Sequence, residues 1–476
     1  MSWLGVAIGL GVAAIFISLV FLILWLFPDD SRRSTVPGMD PTSNQNGNLN
    51  DVGKAGSLHE FLMKLHKEYG PVASFWFGTQ YTVSIASPEL FKQHQNLFDR
   101  PPELFAMFEP FITRHSIQYA NGADGRARRL VFDKVFNYEV LDIYYDKIQK
   151  VADEIVSKWD HAEADDHFPL GEHMFLFAVK AALIALMGDS FKDDKEALAF
   201  KHSYDVAWRD MEERLSNPIL PKENSARAQN FKKALATLRQ IVGRAVKERE
   251  ARGKDSRDFL LIDAIIGHHP DEERRFGDAI TYTVGGFHTS GNLLTWCIYY
   301  LCMHEEVQDK VYKEIVNILG PTEPVTHQTI GKLKYLRQVL DEMLRCSVLA
   351  PWAARYSEDD IELEGHKIPA GTPVIHALGV SMMDEKVWPA PTVFDPERFS
   401  EKKSKGRPTI AFSPYGFAGQ RKCPGYRFAY VEASIIMVTA LQKFRFLLVP
   451  GQDVKPQYGL VTHPKDEIWF KVVKRA

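Results

Sequence analysis

The chain has 476 residues, with 58 lysines and arginines against 61 aspartates and glutamates and a formal net charge of −3. That balance gives no electrostatic case for nucleic acid, and 45% hydrophobic with 12% aromatic residues supplies a core large enough to enclose a bulky apolar ligand. The four cysteines, Cys297, Cys302, Cys346 and Cys423, form no C-x-x-C pair, which argues against a disulfide scaffold and suits a reducing compartment.

Met1 to Pro28 carries no charged side chain, and the apolar run from 3 to 27 ends in Trp25-Leu26-Phe27. About 20 such residues span a bilayer, and the terminal aromatics suit its interface. A cleaved signal peptide is the alternative, but the run exceeds the usual apolar core of about 7–15 residues and lacks an A-x-A site. Residues 1–28 therefore read as a transmembrane anchor, and 29–54, rich in Pro, Gly, Ser and Asn, as a linker to a body spanning 55–476. The charges Asp29, Asp30, Arg32 and Arg33 are mixed and give only a slight positive-inside bias toward a cytosolic body. Ser57-Leu58-His59-Glu60 is a capping box for a helix to about Tyr69, and Val72 to Gly78 and Tyr81 to Ala86 read as a hairpin.

From Leu130 to Gly320 the pattern is helical, with runs near 140–159, 172–188, 194–215, 224–252 and 277–319. Inside the last run lies Gly285-Gly286-Phe287-His288-Thr289-Ser290. Glycine there costs about 1 kcal/mol relative to alanine, so it marks either tight helix packing or a local distortion. Glu342-Met343-Leu344-Arg345 falls in a helix from about 333 to 349, where residues three apart share a face. Arg355 follows, then a strand at about 373–377, the segment Phe394-Asp395-Pro396-Glu397-Arg398-Phe399, and the basic run Lys402, Lys403, Lys405 and Arg407. The stretch Pro414 to Gly425 holds three glycines and Cys423, just ahead of a helix predicted over 426–443. A helix N-terminus favours a thiolate, which makes Cys423 a metal ligand or a nucleophile; the bland alternative is one more buried thiol. Strands are predicted at 444–449, 459–462 and 467–473.

Gly419, Arg421, Cys423 and Gly425 occupy the last four fixed positions of F-x-x-G-x-R-x-C-x-G, and the loop resembles that by which cytochrome P450 enzymes bind heme iron through an axial cysteine. Gly416 stands at the family's phenylalanine position, with Phe417 one residue on. The segments Gly56 to Leu62 and Ser74 to Gly78 resemble the animal branch called family 20. Gly285 to Ser290 is similar to the oxygen-activating pattern [AG]-G-x-[DE]-T-[TS], with Thr289 matching and His288 at the acidic position. Asn121-Gly122 and Arg129 fit the start of the family's helix C, with Gly125 in place of the tryptophan of W-x-x-x-R.

This resemblance, over about 55–475, implies a mainly α fold with small β-sheets, the cytochrome P450 fold, preceded by one N-terminal transmembrane helix. It implies a heme-thiolate monooxygenase with Cys423 as iron ligand of heme b (iron protoporphyrin IX). Arg421, Arg355, Arg129, Gly416, Phe417 and Gly425 would then surround the cofactor, and Glu342, Arg345 and Arg398 would form a buried network behind it. Thr289 and His288 would deliver protons, His288 either exchanging them near neutral pH or being an ordinary helix histidine facing away. The implied partners are O2, a lipophilic small-molecule substrate, the membrane and a separate NADPH-cytochrome P450 reductase, since the chain shows no G-x-G-x-x-G fingerprint. The implied location is the endoplasmic reticulum membrane with the catalytic domain in the cytosol. A heme-binding sensor or carrier, or a heme-thiolate isomerase, is the alternative.

Overall fold

The computed structural model describes residues 18–19, 34–163, 165–188, 191, 194–216, 221–252 and 259–475. Apart from residues 18–19, the expected membrane anchor lies outside these, and among the described residues no helix is long and apolar enough to cross a membrane. Residues 34–54, expected as a linker, are instead fastened to the body. Ser74 N donates to Pro37 O at 2.8 Å and Asn48 N to Trp76 O at 2.8 Å, while Val36 is buried. Gly38 serves close approach, since a Cβ there would stand 2.0 Å from the Ser74 carbonyl oxygen.

Helices α1 (Leu49–Ala55) and α2 (Leu58–Tyr69) follow. Only half of the expected α2 capping box forms: Ser57 Oγ caps the helix by accepting from Glu60 N at 3.1 Å, while the Glu60 carboxylate takes the Ser57 hydroxyl at 2.9 Å in place of its backbone N–H. Strands β1 (Val72–Phe77) and β2 (Gln80–Ile85) make an antiparallel hairpin leading to α3 (Pro88–Gln93). Two strands from far along the chain, β3 (Ala353–Arg355) and β4 (Val374–His376), complete this sheet in the order β1-β2-β4-β3, β4 running parallel to β2.

The helical body comprises α4 (Gly122–Phe132), α5 (Tyr138–Ser157), α6 (Leu170–Leu186), α7 (Asp194–Ser216), α8 (Ala226–Arg252), α9 (Leu261–His268) and α10 (Glu272–Met303). Helix α10 is buried along most of its 32 residues and packs tightly on α6, where a Cβ on Gly291 would come within 2.9 Å of the Phe175 ring. The predicted run over 277–319 is broken at His304, after which α11 (Glu305–Leu319) begins. The corner is made by Gln308, whose buried amide donates to Leu301 O at 3.0 Å and Phe446 O at 3.1 Å. Helices α12 (Lys334–Ser347) and α13 (Tyr426–Lys443) then lead to an antiparallel pair, β5 (Phe444–Leu448) and β6 (Trp469–Lys474). The strand expected at 459–462 is replaced by a two-residue pairing of His463–Pro464 with Pro456–Gln457, because Thr462 N turns away to bond Leu349 O at 2.9 Å.

Behind the sheet, Glu342 and Arg345 of α12 share a two-pronged ion pair at 2.7 and 2.8 Å with neither side chain exposed. Arg398 reaches the same carboxylate at 3.2 Å, and Asp395 N donates to it at 2.9 Å. The guanidiniums also take backbone carbonyls, Arg345 those of Pro391 and Met382 and Arg398 those of Pro389 and Ala390. One carboxylate therefore gathers a helix and the irregular segment 382–398, which has little regular structure to hold it. Glu342→Ala is expected to cost about 3–5 kcal/mol in urea denaturation because two buried guanidiniums lose their anion. Lys310→Ala, which breaks an exposed pair with Glu397, is expected to cost only about 0–1 kcal/mol.

Candidate active site

Cys423 sits where a short 3-10 turn, Gly419–Arg421, gives way to α13. Two residues before it are left-handed, Gly416 with φ 76° and Gly419 with φ 39°, a region that glycine enters without a Cβ clash. Cys423 N donates to Tyr415 O at 2.9 Å, so the loop doubles back on itself. The Cys423 side chain is exposed and yet crowded closely enough by protein to be desolvated, so it lines a recess. Burial pushes its thiol up, outweighing the Gly425 N–H and the Arg129 charge that pull it down. This corrects the expectation that the helix N-terminus makes a thiolate: the proton leaves when a metal cation takes the sulfur.

The left-handed backbone explains why residue 416 is glycine where the family pattern has phenylalanine. The aromatic has moved to Phe417, which stacks on Phe91 at 4.5 Å and lies 4.5 Å from the His376 ring. His376 bonds His94 at 2.7 Å, and burial pulls His94 to about 3 and His376 well below the usual imidazole range. Both rings are thus neutral and share one N–H. At Gly425 a Cβ would meet only Phe136, at 3.9 Å, so within the protein this glycine leaves space rather than filling a tight contact.

Helix α10 leaves open space along one face. No other side chain or packed backbone lies within 4 Å of a Cβ position on Gly285, and one turn later Thr289 donates its hydroxyl to Gly285 O at 2.7 Å. The glycine at 285 therefore keeps space clear and does not serve helix packing. His288 leaves the helix on another face: its Nδ1 is 2.6 Å from the Tyr204 hydroxyl, and its ring meets Trp208 edge-on at 4.2 Å, both on α7. Burial pulls its pKa to about 3. Of the two readings of His288 the placement agrees with the helix histidine that faces away from Thr289; its imidazole stays neutral and ties α10 to α7.

Four arginines, Arg100, Arg129, Arg355 and Arg421, act on one another's charge near Cys423. Arg129 donates to Asp133 at 2.7 Å and to Lys422 O at 2.6 Å. Arg421 donates to the carbonyls of Phe98, Ile117 and Ala120, and Arg100 to Gln118. Arg355, on β3, donates to Ala354 O at 2.6 Å, and its Nε has no partner. Burial and then mutual repulsion pull Arg100 to about 10, Arg421 to about 8 and Arg355 well below its ordinary value. A guanidinium does not surrender its proton in a protein, so an anion is what relieves this pressure. Two acids are close, but Asp133 is taken by Arg129 and Asp99 accepts from Gly122 N at 2.7 Å. The donor set thus fits heme b: a sulfur on a recess for the iron, and surplus guanidinium charge for two carboxylates.

Arg100 was missed by sequence reasoning, since a single arginine before two prolines forms no spaced pattern. Gly125, standing for the family's tryptophan, is enforced by a Cβ position 2.1 Å from Ala120 O and 2.9 Å from the Phe98 ring. Phe98 fills that space, sandwiched between the guanidiniums of Arg126 at 4.5 Å and Arg421 at 4.3 Å.

The family model for cytochrome P450 matches residues 37–471. Relatives called cytochrome P450 20A1 from Bos taurus and Rattus norvegicus are 32% and 34% identical over 462 and 465 residues, each spanning 96% of this chain and 97% of the relative. A cyclooctat-9-en-7-ol 5-monooxygenase from Streptomyces melanosporofaciens is 26% identical over 405 residues, 82% of this chain and 86% of its own.

Removing one guanidinium relieves repulsion in the heme-free protein but takes away a carboxylate partner. Arg355→Gln is therefore expected to raise the melting temperature of the heme-free protein while speeding heme loss from the loaded one. A fall in both would mark Arg355 as a purely structural cation.

Proposed function

The chain belongs to the cytochrome P450 family, and from that premise we propose that it is a membrane-anchored monooxygenase that inserts one oxygen atom of O2 into a largely apolar small molecule, with Cys423 holding the iron of heme b. The observation that carries the site assignment is the coincidence of a recess-lining cysteine with uncompensated buried guanidinium charge. When bound, heme with a thiolate ligand supplies the electron-rich iron at which O2 is reduced and split.

Cys423 would give up its proton on ligation, and Arg100, Arg129, Arg355 and Arg421 would supply the positive charge that holds the two carboxylates. Thr289 spends its hydroxyl proton on Gly285 O, leaving its oxygen lone pairs free to accept from a protic partner in the recess. With His288 bonded to Tyr204, protons reach Thr289 through water. The apolar substrate reading is supported by the buried aromatics Phe105, Phe108 and Phe111 ahead of α4, and by the alcohol, cyclooctat-9-en-7-ol, in the name of the Streptomyces relative.

Electrons would come from the NADPH-cytochrome P450 reductase, docking on the exposed Lys402, Lys403, Lys405 and Lys422 by charge. Arg407 is not part of that surface, as its guanidinium lies 4.0 Å over the Trp388 ring. The apolar run 3–27 would hold the protein in the endoplasmic reticulum membrane. A second reading, a heme-binding sensor or carrier, is favoured by one observation, the absence of an acid at 288.

Cys423→Ser is expected to abolish the thiolate-type carbonyl spectrum of the reduced protein, whereas serine at 297, 302 or 346 leaves it. Thr289→Ala is expected to retain heme and to divert NADPH from product to peroxide. His288→Ala with unchanged coupling agrees with its placement against α7; wild type that never couples NADPH to product supports the sensor.

A further inference from the structure

The cysteine loop adjoins a run of aromatic and charged side chains that no step above uses. Tyr415, whose carbonyl takes the Cys423 N–H at 2.9 Å, stands edge to face with Tyr430 of α13, their ring centres 5.5 Å apart. Tyr430 is buried, and its hydroxyl donates to the carboxylate of Asp341 on α12. Arg337, one turn earlier on α12, holds both Asp341 oxygens at 3.1 Å through its Nε and lies 3.5 Å over the Tyr430 ring, with about half of its own side chain exposed. Side chains in contact thus lead from the loop that bears the sulfur to the surface. Tyr426 also neighbours Tyr415, at 6.1 Å, but it carries the Lys422 and Arg427 cations over its ring at 4.3 and 4.6 Å. Tyr430 differs in having a base at its hydroxyl.

A cation over a ring favours the neutral ring and opposes loss of an electron alone. A phenol that loses its proton together with the electron avoids that penalty, because the phenoxyl left behind is uncharged, and this needs a base already at the hydroxyl. Burial raises the Asp341 carboxyl above the usual carboxylate range against the pull of Arg337, which makes it a better proton acceptor, while burial keeps the Tyr430 proton in place until the electron goes. We propose that Tyr430 is a redox-active tyrosine that, when a peroxide has oxidised the bound heme and no substrate is at hand, gives up one electron through Tyr415 and its hydroxyl proton to Asp341. The Tyr430 O–H bond breaks, an O–H bond forms on the Asp341 carboxylate, one electron goes to the oxidised heme and a neutral phenoxyl radical remains. One electron from a reductant such as ascorbate, with the proton returning from Asp341, restores the tyrosine. The oxidising equivalent is thereby drawn away from the site and toward α12. The step rests on the reading of Cys423 as the heme ligand; the phenol, its base and the cation over its ring belong to the protein alone.

Electron paramagnetic resonance of the full-length, heme-loaded protein tests this. Frozen just after mixing with m-chloroperbenzoic acid in the absence of substrate, the wild type should show a radical signal that narrows when the protein is labelled with ring-deuterated tyrosine. The signal should persist in Tyr426→Phe, weaken in Asp341→Asn and be lost in Tyr430→Phe, whose heme absorbance should also bleach faster than that of the wild type. A signal of wild-type size in Tyr430→Phe, or a wild type with the thiolate-type carbonyl spectrum and no tyrosine-based signal, overturns the proposal, and the second decides even where Tyr430→Phe does not fold. Where the carbonyl spectrum shows instead that Cys423 does not hold the iron, photogenerated ruthenium(III) tris-bipyridine replaces heme as the oxidant on the same preparations. A tyrosine signal component lost in Tyr430→Phe then upholds the redox-active tyrosine, and its absence overturns it.

Discussion

The arrangement depends most on the concentration of like charge beside Cys423. Four guanidiniums share a buried space with two carboxylates, both already engaged. Burying unpaired charge is unfavourable by several kcal/mol per ion, so this corner is poorly stable as protein alone, and an anionic ligand would relieve it. The chain comes to it from three directions: Arg100 and Arg129 from the segment around α4, Arg355 from β3, and Arg421 from the cysteine loop. A ligand that binds all four therefore closes the fold around itself.

The rest of the scaffold keeps the cysteine loop at a fixed distance from α10. Glu342 secures α12 to the chain that precedes the loop, the stack of Phe91, Phe417 and His376 secures the loop to the first sheet, and α13 carries it onto α10. In each case the contact removes freedom from a stretch with little regular secondary structure. Helix α10 itself is divided by face: Gly285 and Thr289 leave space, and His288 is spent on α7.

What could be read in the sequence was what lies within one short window. The loop around Cys423, the Glu342–Arg345 spacing and the Arg398 segment bring their residues together by local geometry, so their linear patterns survive into the fold. Arg100 and Phe98 act through partners elsewhere in the chain, and nothing beside them in sequence marks them. The break at His304 was invisible for the same reason, since Gln308 makes it by reaching β5. His288 left two readings open because residue type alone suggests a pKa near neutrality, while its value is set by burial against Tyr204 and Trp208.

If the surplus of guanidinium charge is what the cofactor satisfies, its carboxylates must matter as much as its iron. The direct measurement is reconstitution of the heme-free protein with iron protoporphyrin IX and, in parallel, with its dimethyl ester. Two charge-assisted pairs at about 1.5–3 kcal/mol each predict that the free diacid binds at least about 10²-fold more tightly and alone gives a stable thiolate-type carbonyl spectrum. Equal affinity for the ester would contradict the account, leaving Cys423 and apolar contact to hold the ring without the arginines.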